Sequence, residues 1–440
     1  MKNFKESGIE WLGEIPEHWE VVKINKIVTF VNGYAFENFD FNPIFEIPVI
    51  RIGDMQKEKI LYDNCLKTKE KEKLKQFLIS NNDILIALSG ATTGKIAFCD
   101  TDNKAYINQR VAIVRSKLKL VKYYFLTRGF SLLIELACNG SAQPNISTKE
   151  IGEFKIPLPP LKEQEQIANF LDEKCKKIAN FIEKKEKLIT LLKEQKQALI
   201  NETITKGLDK NINFKDSGIE WLGEIPQHWE VKKLKMLFTL GNGLNITKAD
   251  FVSYGIPCVS YGEIHSKYPC RLNTTIHTLP FVSKTYLADK PQSLLQKGDF
   301  VFVDTSEDIE GSGNFTSIQS DTPIFAGYHT IILKYKGKIN SLYFSFLFDS
   351  IFTRNQIRKE VCGVKVFSIT KSILKEVQCL IPPLKEQEQI ANFLDEKCEK
   401  IDLLIEKTKK QIKLIKEYKT TLINQAVCGR INLKGIKDDY

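Results

Sequence analysis

Two pairs of repeated segments constrain the fold of this chain more than any other feature. Residues 5–24 (KESGIEWLGEIPEHWEVVKI) and 215–234 (KDSGIEWLGEIPQHWEVKKL) agree at 16 of 20 positions, at an offset of 210. Residues 159–178 and 382–401 agree at 19 of 20 positions, at an offset of 223. Internal similarity of this kind indicates a duplicated structural unit. We call residues 5–24 and 215–234 the two anchors. Each anchor is followed by a variable stretch and then by the second repeated segment, so the same order occurs twice along the chain.

The second repeated segment opens a long helical pattern. No Pro or Gly occurs from residue 161 to 206, and a Pro-Pro pair, which can precede a helix but cannot continue one, comes directly before it. Apolar residues fall in two heptad rows, which predicts a coiled-coil seam rather than a solvated helix on a larger domain. The rows are Ala168, Cys175, Ile182 and Ile189 with Leu171, Ile178, Leu192 and Leu199, and then Ala391, Cys398, Ile405 and Ile412 with Leu394, Ile401, Ile415 and Leu422. We expect the two helices to pair antiparallel.

The stretches between the repeats differ in sequence. Short apolar runs at residues 83–88, 111–115, 299–303 and 330–334 alternate with Gly, Asn, Asp and Ser, which is typical of a small mixed or antiparallel sheet. We predict an α/β (α+β) class fold. We expect two globular domains that are joined by two long antiparallel coiled-coil helices and related by an internal pseudo-two-fold repeat.

The repeats also predict the segment boundaries. The length of 440 residues is enough for several domains of about 100–200 residues each. We predict a first globular domain with its anchor at 1–160, a first helix at 161–207, a second globular domain with the repeated anchor at 208–383, a second helix at 384–430 and a tail at 431–440.

Charge and composition exclude several classes of protein. The formal net charge is +10, and each variable stretch carries a surplus of five basic residues. This surplus fits contact with a phosphate backbone, and equally a solvated surface. No stretch is apolar enough to span a membrane, the first residues lack a signal peptide's apolar region, and the ten cysteines form no C-x-x-C pair. We expect a cytoplasmic protein with reduced thiols.

Three motifs suggest chemistry but do not fit it. Residues 89–95 (SGATTGK) have three residues between the glycines, and Ile follows the Lys, so a hairpin turn is favoured over a phosphate loop. Residues 42–45 (NPIF) lack the second Pro of an amino-methyltransferase loop. Cys258, His265, Cys270 and His277 lack the close pairs of a zinc site. We predict no catalytic, cofactor-binding or metal site on this chain.

The order of the motifs resembles the specificity (S) subunit of type I restriction–modification systems over nearly the whole chain. The most specific matches are residues 15–19, 225–229, 159–164 and 382–387. In the first variable domain, residues 89–95, 108–109 and 140–147 also match family patterns, whereas the corresponding stretch of the second domain, 363–370 (GVKVFSIT), departs from them.

This resemblance implies a noncatalytic DNA-specificity subunit. Each variable domain would be a target-recognition domain for one half of a bipartite, asymmetric DNA site, and the helices would set the gap between the halves. The repeats would dock two adenine-N6 methyltransferase (M) subunits and, through them, two restriction/translocase (R) subunits. S-adenosylmethionine, ATP and Mg would belong to those partners. The alternative is a stand-alone coiled-coil DNA-binding regulator or scaffold.

Candidate DNA-binding residues follow from base chemistry within the resemblance. Arg suits guanine and Asn or Gln suits adenine, whereas Lys mainly contacts phosphate. The candidates are Lys95, Asn108, Gln109, Arg110, Ser141, Gln143, Asn145 and the weaker Arg51 in the first domain, and Asn314, His329, Lys365 and Ser368 in the second. For each of them the alternative is a turn or surface residue away from DNA.

The repeated segments supply the candidate partner-binding residues. All four tryptophans lie in the anchors, which favours a role in anchoring the domain or docking a partner over base stacking. The predicted set is Trp11, Trp19, Trp221, Trp229, Glu163, Gln164, Glu386 and Gln387.

Overall fold

The computed structural model describes residues 3–9, 11–56, 58–100, 102–138, 144–361 and 366–431. The chain forms two compact units. Unit 1 comprises the residues up to Lys185 and those from Lys410 onward, and unit 2 comprises Glu186–Lys409. Each unit therefore contains one anchor, one variable domain, the first part of one long helix and the last part of the other.

Unit 1 is rich in short strands. Its strands are β1 (Phe4–Glu6), β2 (Glu14–Pro16), β3 (Glu20–Lys23), β4 (Thr29–Asn32), β5 (Ile47–Ile50), β6 (Met55–Gln56), β7 (Lys59–Ile60), β8 (Leu66–Thr68), β9 (Ile84–Ala87), β10 (Ile96–Phe98), β11 (Tyr106–Ile107), β12 (Val111–Arg115) and β13 (Lys155–Leu158). Its helices are α1 (Val121–Phe125), α2 (Arg128–Ala137), α3 (Thr148–Glu153) and α4 (Leu161–Lys206), which continues into unit 2.

Two sheets form the centre of the first variable domain. One is antiparallel with the order β10–β9–β12–β4, and the other has the order β11–β5–β8 with β11 parallel to β5. All four residues of β9 are buried, which explains why this strand is apolar throughout instead of alternating. Leu85 and Ile113 of the first sheet share a buried cluster with Ile50 and Ile107 of the second. The prediction of a small mixed or antiparallel sheet is confirmed, with one sheet of each kind.

Unit 2 repeats this plan with more strands. They are β14 (Phe214–Asp216), β15 (Glu224–Pro226), β16 (Glu230–Lys233), β17 (Phe238–Asn242), β18 (Ile256–Val259), β19 (Cys270–Leu272), β20 (Phe281–Val282), β21 (Leu294–Leu295), β22 (Phe300–Val303), β23 (Thr305–Ser306), β24 (Phe315–Ile318), β25 (Ile324–Ala326), β26 (Thr330–Tyr335), β27 (Phe367–Ser368) and β28 (Gln378–Ile381). The helices are α5 (Leu234–Leu237), α6 (Tyr261–Ser266), α7 (Tyr286–Asp289), α8 (Ser341–Asp349), α9 (Ile351–Glu360), α10 (Lys371–Glu376) and α11 (Leu384–Val427).

Aromatic packing holds the larger sheet of unit 2 against a helix. The sheet has the order β17–β26–β22–β24–β19, and a second sheet has the order β20–β18–β25–β21. The rings of Phe300, Phe302 and Phe315 lie 5.1, 5.2 and 5.7 Å from the ring of Phe348 on α8. Each such ring buries a large apolar area, so this cluster fixes the sheet on the helix.

The long helices pair as the heptads predict. Each of the sixteen predicted seam residues is buried or half-buried. In unit 1, Ile178 of α4 lies in one cluster with Leu422 of α11. In unit 2, Ile200 near the end of α4 lies in one cluster with Leu394 near the start of α11. Within each unit the start of one helix meets the end of the other, so the pairing is antiparallel. No helix of the described ranges is both long and apolar enough to cross a membrane.

Candidate nucleic-acid interface

In unit 1 the repeated anchor joins two helix ends. The indole N–H of the buried Trp19 donates to Glu163 Oε2, 3.1 Å away in the first turn of α4. His18 Nε2 lies 2.7 Å from the other oxygen of that carboxylate. The end of α11 meets the same anchor at Gly429 (φ 73°), where a Cβ would lie 2.5 Å from Pro16. A glycine is needed there for both its backbone conformation and its lack of a side chain.

We call this meeting of an anchor with the start of one long helix and the end of the other the joint, and unit 2 contains the same joint. The buried Trp229 donates its indole N–H to Glu386 Oε1 at 3.1 Å, and His228 Nε2 lies 2.6 Å from Glu386 Oε2. Gly207 (φ 74°) follows the end of α4, and a Cβ there would lie 3.3 Å from the Trp229 ring. The near-identity of the repeats therefore has an explanation within the chain itself, because each anchor receives the start of one helix and the end of the other.

Six of the predicted partner-binding residues make side-chain hydrogen bonds inside the chain. Gln164 and Gln387 donate to the carbonyls of Pro159 and Pro382 at 2.7 and 2.9 Å. The others with internal contacts are Trp19, Trp229, Glu163 and Glu386. The two indoles are buried, so they can support a partner surface but not touch the partner.

The other two tryptophans differ in exposure. Trp11 packs so closely on Gly129 that a Cβ on this glycine would lie 2.0 Å from the ring. Trp221 is 52% exposed and lies against Phe352, with ring centroids 5.4 Å apart. Of the two, Trp221 offers the larger surface for a partner.

One repeated carboxylate fastens each variable domain to a helix. Asp172 of α4 accepts a hydrogen bond from the Tyr123 hydroxyl at 2.6 Å and pairs with Lys122. Asp395, its counterpart in α11 at the offset of 223, pairs with Arg271 at 2.5 Å. The same acceptor thus receives a different cation from each variable domain.

We expect Asp172→Asn to loosen the contact between α1 and α4. Hydrogen exchange of the α1 amides should rise roughly two- to fivefold, because a partly exposed ion pair contributes about 0.2–1 kcal/mol. Glu173→Gln is the control, since Glu173 pairs with Lys177 within its own helix. Equal exchange in the two variants would contradict the fastening role.

In the first variable domain, loop ends line a depression of about 690 Å³. They are the end of β4, the loop after β9, the turn between β11 and β12, and the segment before α3. The lining side chains include Asn32, Ser89, Gln109, Arg110, Asn145, Ser147 and Glu150. The antiparallel order β9–β12–β4 brings these loop ends to one edge of the sheet.

Backbone hydrogen bonds fix this edge. The N–H of Leu88 donates to the Arg110 carbonyl at 2.9 Å, and the N–H of Ile146 donates to the Leu88 carbonyl at 2.9 Å. The N–H of Gly33 donates to the Val111 carbonyl at 3.0 Å. The turn that carries Arg110 is therefore held from both sides.

The second variable domain contains the same framework. The backbone N–H of Asp304 donates to the His329 carbonyl at 3.1 Å, and that of Ile369 donates to the Asp304 carbonyl at 2.8 Å. The N–H of Gly243 donates to the Thr330 carbonyl at 3.1 Å. These bonds make Arg110 equivalent to His329, and Gln109 equivalent to Tyr328 by chain order. The two domains thus place different side chains on one common framework.

Two further candidate pairs correspond in the same way. In the first domain the N–H of Ala87 donates to the Lys95 carbonyl at 2.8 Å, and in the second the N–H of Val303 donates to the Asn314 carbonyl at 3.0 Å. Asn145 bridges to Ser89 as Ser368 pairs with Thr305. Lys95 and Asn314, and likewise Asn145 and Ser368, therefore occupy matching positions in the two frameworks.

Three first-domain candidates lie together. Gln109, Arg110 and Asn145 are exposed and line the depression. Of the described candidates, Lys95, Asn108 and Arg51 are half-buried and are not among its lining residues, and Arg51 Nε pairs with Asp54 at 3.2 Å. Ser141 and Gln143 lie outside the described residues.

The second-domain candidates are more dispersed. His329 lines a depression of about 980 Å³, whereas Ser368 of β27 pairs with Thr305 and is not among the lining residues. Asn314 uses its amide within the domain, since Nδ2 lies 2.9 Å from His265 Nδ1 and Oδ1 accepts from Arg354 at 3.0 Å. Both polar atoms of the Asn314 side chain therefore already take part in hydrogen bonds within the domain. Lys365 lies outside the described residues.

The sequence-based list missed a repeated Asn-Gly pair. Asn32 and Asn242 line the two depressions, and the glycine after each lets the backbone approach the turn that carries Arg110 in the first domain and His329 in the second. A Cβ on Gly33 would lie 2.1 Å from the Asn108 carbonyl oxygen, and one on Gly243 would lie 2.0 Å from that of Gly327. The signal was available, because Asn-Gly recurs at the same offset of 210 as the anchors.

Tyr261 and Tyr328 of the second depression were also missed. Burial raises the pKa of Tyr328, so its hydroxyl stays protonated and can donate a hydrogen bond. In the first depression, hydrogen bonds from the Ser147 hydroxyl and N–H hold the pKa of Glu150 below its usual range. Among the described residues, no group of three or more His, Cys, Asp and Glu is placed to hold a metal ion. The depressions offer donors, acceptors and cations of the kind that contact base edges and phosphates.

Comparison with known proteins gives one consistent family. The family model described as the type I restriction modification DNA specificity domain matches residues 16–191 and 226–414. The MjaVIII specificity subunit of Methanocaldococcus jannaschii is 26% identical over 453 residues, which cover 99% of this chain and 97% of that protein. The EcoKI specificity subunit of Escherichia coli is 22% identical over 408 residues, covering 87% and 83%.

Solved structures show the same fold. A chain from work on the complex assembly and conformational transition of the type I R-M system superposes with a TM-score of 0.68 at 13% identity, covering 95% of this chain and 99% of that one. The HsdS subunit of Thermoanaerobacter tengcongensis gives a TM-score of 0.50 at 14% identity, covering 95% and 98%.

Proposed function

The chain belongs to the family of the type I restriction modification DNA specificity domain, and from this membership we propose that it is the noncatalytic subunit that selects the DNA sequence. Each variable domain reads one half of a bipartite, asymmetric site in double-stranded DNA. The paired helices set the gap between the halves.

One observation carries this proposal. The two variable domains hold the same backbone framework at the edge of the sheet but place Arg110 and Gln109 on one and His329 and Tyr328 on the other. A repeated framework with different side chains at the same positions fits two readers of two different sequences. Arg and Gln match guanine and adenine edges, and imidazole and phenol groups make other hydrogen bonds.

The repeats supply the remainder of the proposal. The same joint, made once in each unit, presents the same kind of surface twice. Two methyltransferase subunits dock on these surfaces and bring two restriction/translocase subunits with them. S-adenosylmethionine, ATP and Mg are bound by those partners. The isolated chain should therefore neither methylate nor cleave DNA.

The first test removes the guanidinium of Arg110. In complex with its methyltransferase partner, the Arg110→Ala chain should lose roughly 5- to 150-fold of its discrimination against a changed first half-site, equivalent to about 1–3 kcal/mol. Binding would be measured on duplexes whose sequence comes from mapping methyladenine in DNA of cells that carry the system. Discrimination at the second half-site should not change.

Arg128→Ala is the matched control. It removes the same charge from the same domain, but Arg128 pairs with Glu135 on α2, and it is not among the residues lining the depression. Its effect should be limited to a small, salt-dependent loss of general affinity. If Arg110→Ala behaves like Arg128→Ala, the depression is not the reading surface.

A further inference from the structure

The imidazole of His329 is held in one tautomer. Its Nδ1 lies 3.1 Å from Asp304 Oδ1, and the hydroxyl of Thr305 donates to the same oxygen at 2.7 Å. An ionised carboxylate can only accept hydrogen bonds, so Nδ1 must carry the proton of the neutral ring. Nε2 is then left as a hydrogen-bond acceptor.

The ring is also held in position while staying accessible. The Tyr261 ring lies 5.4 Å from it at 77°, and the Tyr328 ring lies 6.0 Å from it at 75°. The backbone of His329 has φ 55°, an uncommon conformation for a residue other than glycine, and its carbonyl accepts from the N–H of Asp304. The side chain nevertheless remains 55% exposed.

We propose that His329 is a specificity-determining residue, which accepts a hydrogen bond at Nε2 from the exocyclic amino group of adenine or cytosine in the second half-site. Asp304 is its positioning residue. This inference rests on the proposed function of the second variable domain. In the major groove, adenine N6 and cytosine N4 are donors, whereas guanine O6 and thymine O4 are acceptors that would face the Nε2 lone pair. Lys248 and Lys290 line the same depression and can contact the phosphates.

The test is a base-preference profile of the second half-site. The chain in complex with its methyltransferase subunits is measured at pH 8 against duplexes with each base at each position. The wild type should prefer adenine or cytosine over guanine about tenfold at one position. His329→Gly, which suits the left-handed backbone and presents no side chain to the base, should bring that ratio close to one. His329→Arg should reverse it toward guanine, because Arg presents only donors.

Asp304→Ala tests whether Asp304 acts by positioning the His329 ring or only supports the fold of the domain. It should lower the same ratio when His329 is present and change nothing further in the His329→Gly chain, since both act through one contact. His277→Ala is the control, because His277 stacks on Tyr268 with ring centroids 4.3 Å apart and is not a lining residue of the depression. It should leave the profile unchanged.

The outcomes distinguish the two proposals. Sequence-specific binding by the wild type, with a second-half profile that His329→Gly and His329→Arg both leave unchanged, would overturn the role of His329 and leave the proposed function intact. The role of His329 would also be overturned if the His329 variants changed the base preference at a position where the wild type prefers guanine or thymine. Absence of any sequence preference in the wild-type complex would instead contradict the proposed function.

Discussion

Trp229→Ala should lower the free energy of unfolding of unit 2 by about 3–5 kcal/mol. The indole is fully buried, and its N–H donates to Glu386 at the start of α11. The same ring lies 3.3 Å from where a Cβ of Gly207 would be, at the end of α4. Its loss would therefore leave a cavity at the point where both helices are held.

The measurement is hydrogen exchange of unit 2 amides under native conditions, because a chain with two units need not unfold in one step. Trp221→Ala is the matched control in the same anchor. This indole is 52% exposed, so its replacement should change stability by only about 0.5 kcal/mol. Comparable effects of the two substitutions would show that Trp229 does not hold the two helix ends together at the anchor.

Gly33→Ala should abolish reading of the first half-site without removing any charged or polar side chain. The added Cβ would lie 2.1 Å from the Asn108 carbonyl oxygen and 2.8 Å from that of Val111, so the turn between them has to move. This turn carries Gln109 and Arg110. A displacement of about 1 Å at a functional group can cost roughly 100-fold, and we expect a loss of discrimination of that size.

Gly53→Ala is the control for this prediction. No heavy atom lies within 4 Å of a Cβ placed at Gly53, so the substitution should be accepted. Both variants would be compared on duplexes with an intact or a scrambled first half-site. Equal discrimination by the two chains would show that the reading turn does not depend on the close approach of the β4 end.

The helices could be predicted from sequence because their signal is local. A heptad pattern and a Pro-Pro pair define both the seam and the start of Leu161–Lys206. The joint could not be predicted, since the contact between Trp19 and Glu163 links residues 144 positions apart. The repeats showed that these residues matter twice but not that they meet each other.

The candidate site was predictable only in part, for a similar reason. Gln109, Arg110 and Asn145 were proposed from base chemistry within a family resemblance, and the structure brings them to one depression. Asn314 was proposed by the same chemistry, but its amide is held by His265 and Arg354 from elsewhere in the domain. Residue type indicates what a side chain can bind, whereas packing decides whether it is free to do so.

The composition of the two units has a consequence for biosynthesis. Unit 2 is one continuous stretch, whereas unit 1 needs residues from Lys410 onward to complete it. The residues up to Lys185 are therefore synthesised well before the residues from Lys410 onward that complete the same unit, at about 5–20 residues per second. Until Gly429 has been synthesised, the first anchor lacks its contact at Pro16, so a stop codon between Lys410 and Gly429 should destabilise unit 1 and leave unit 2 intact.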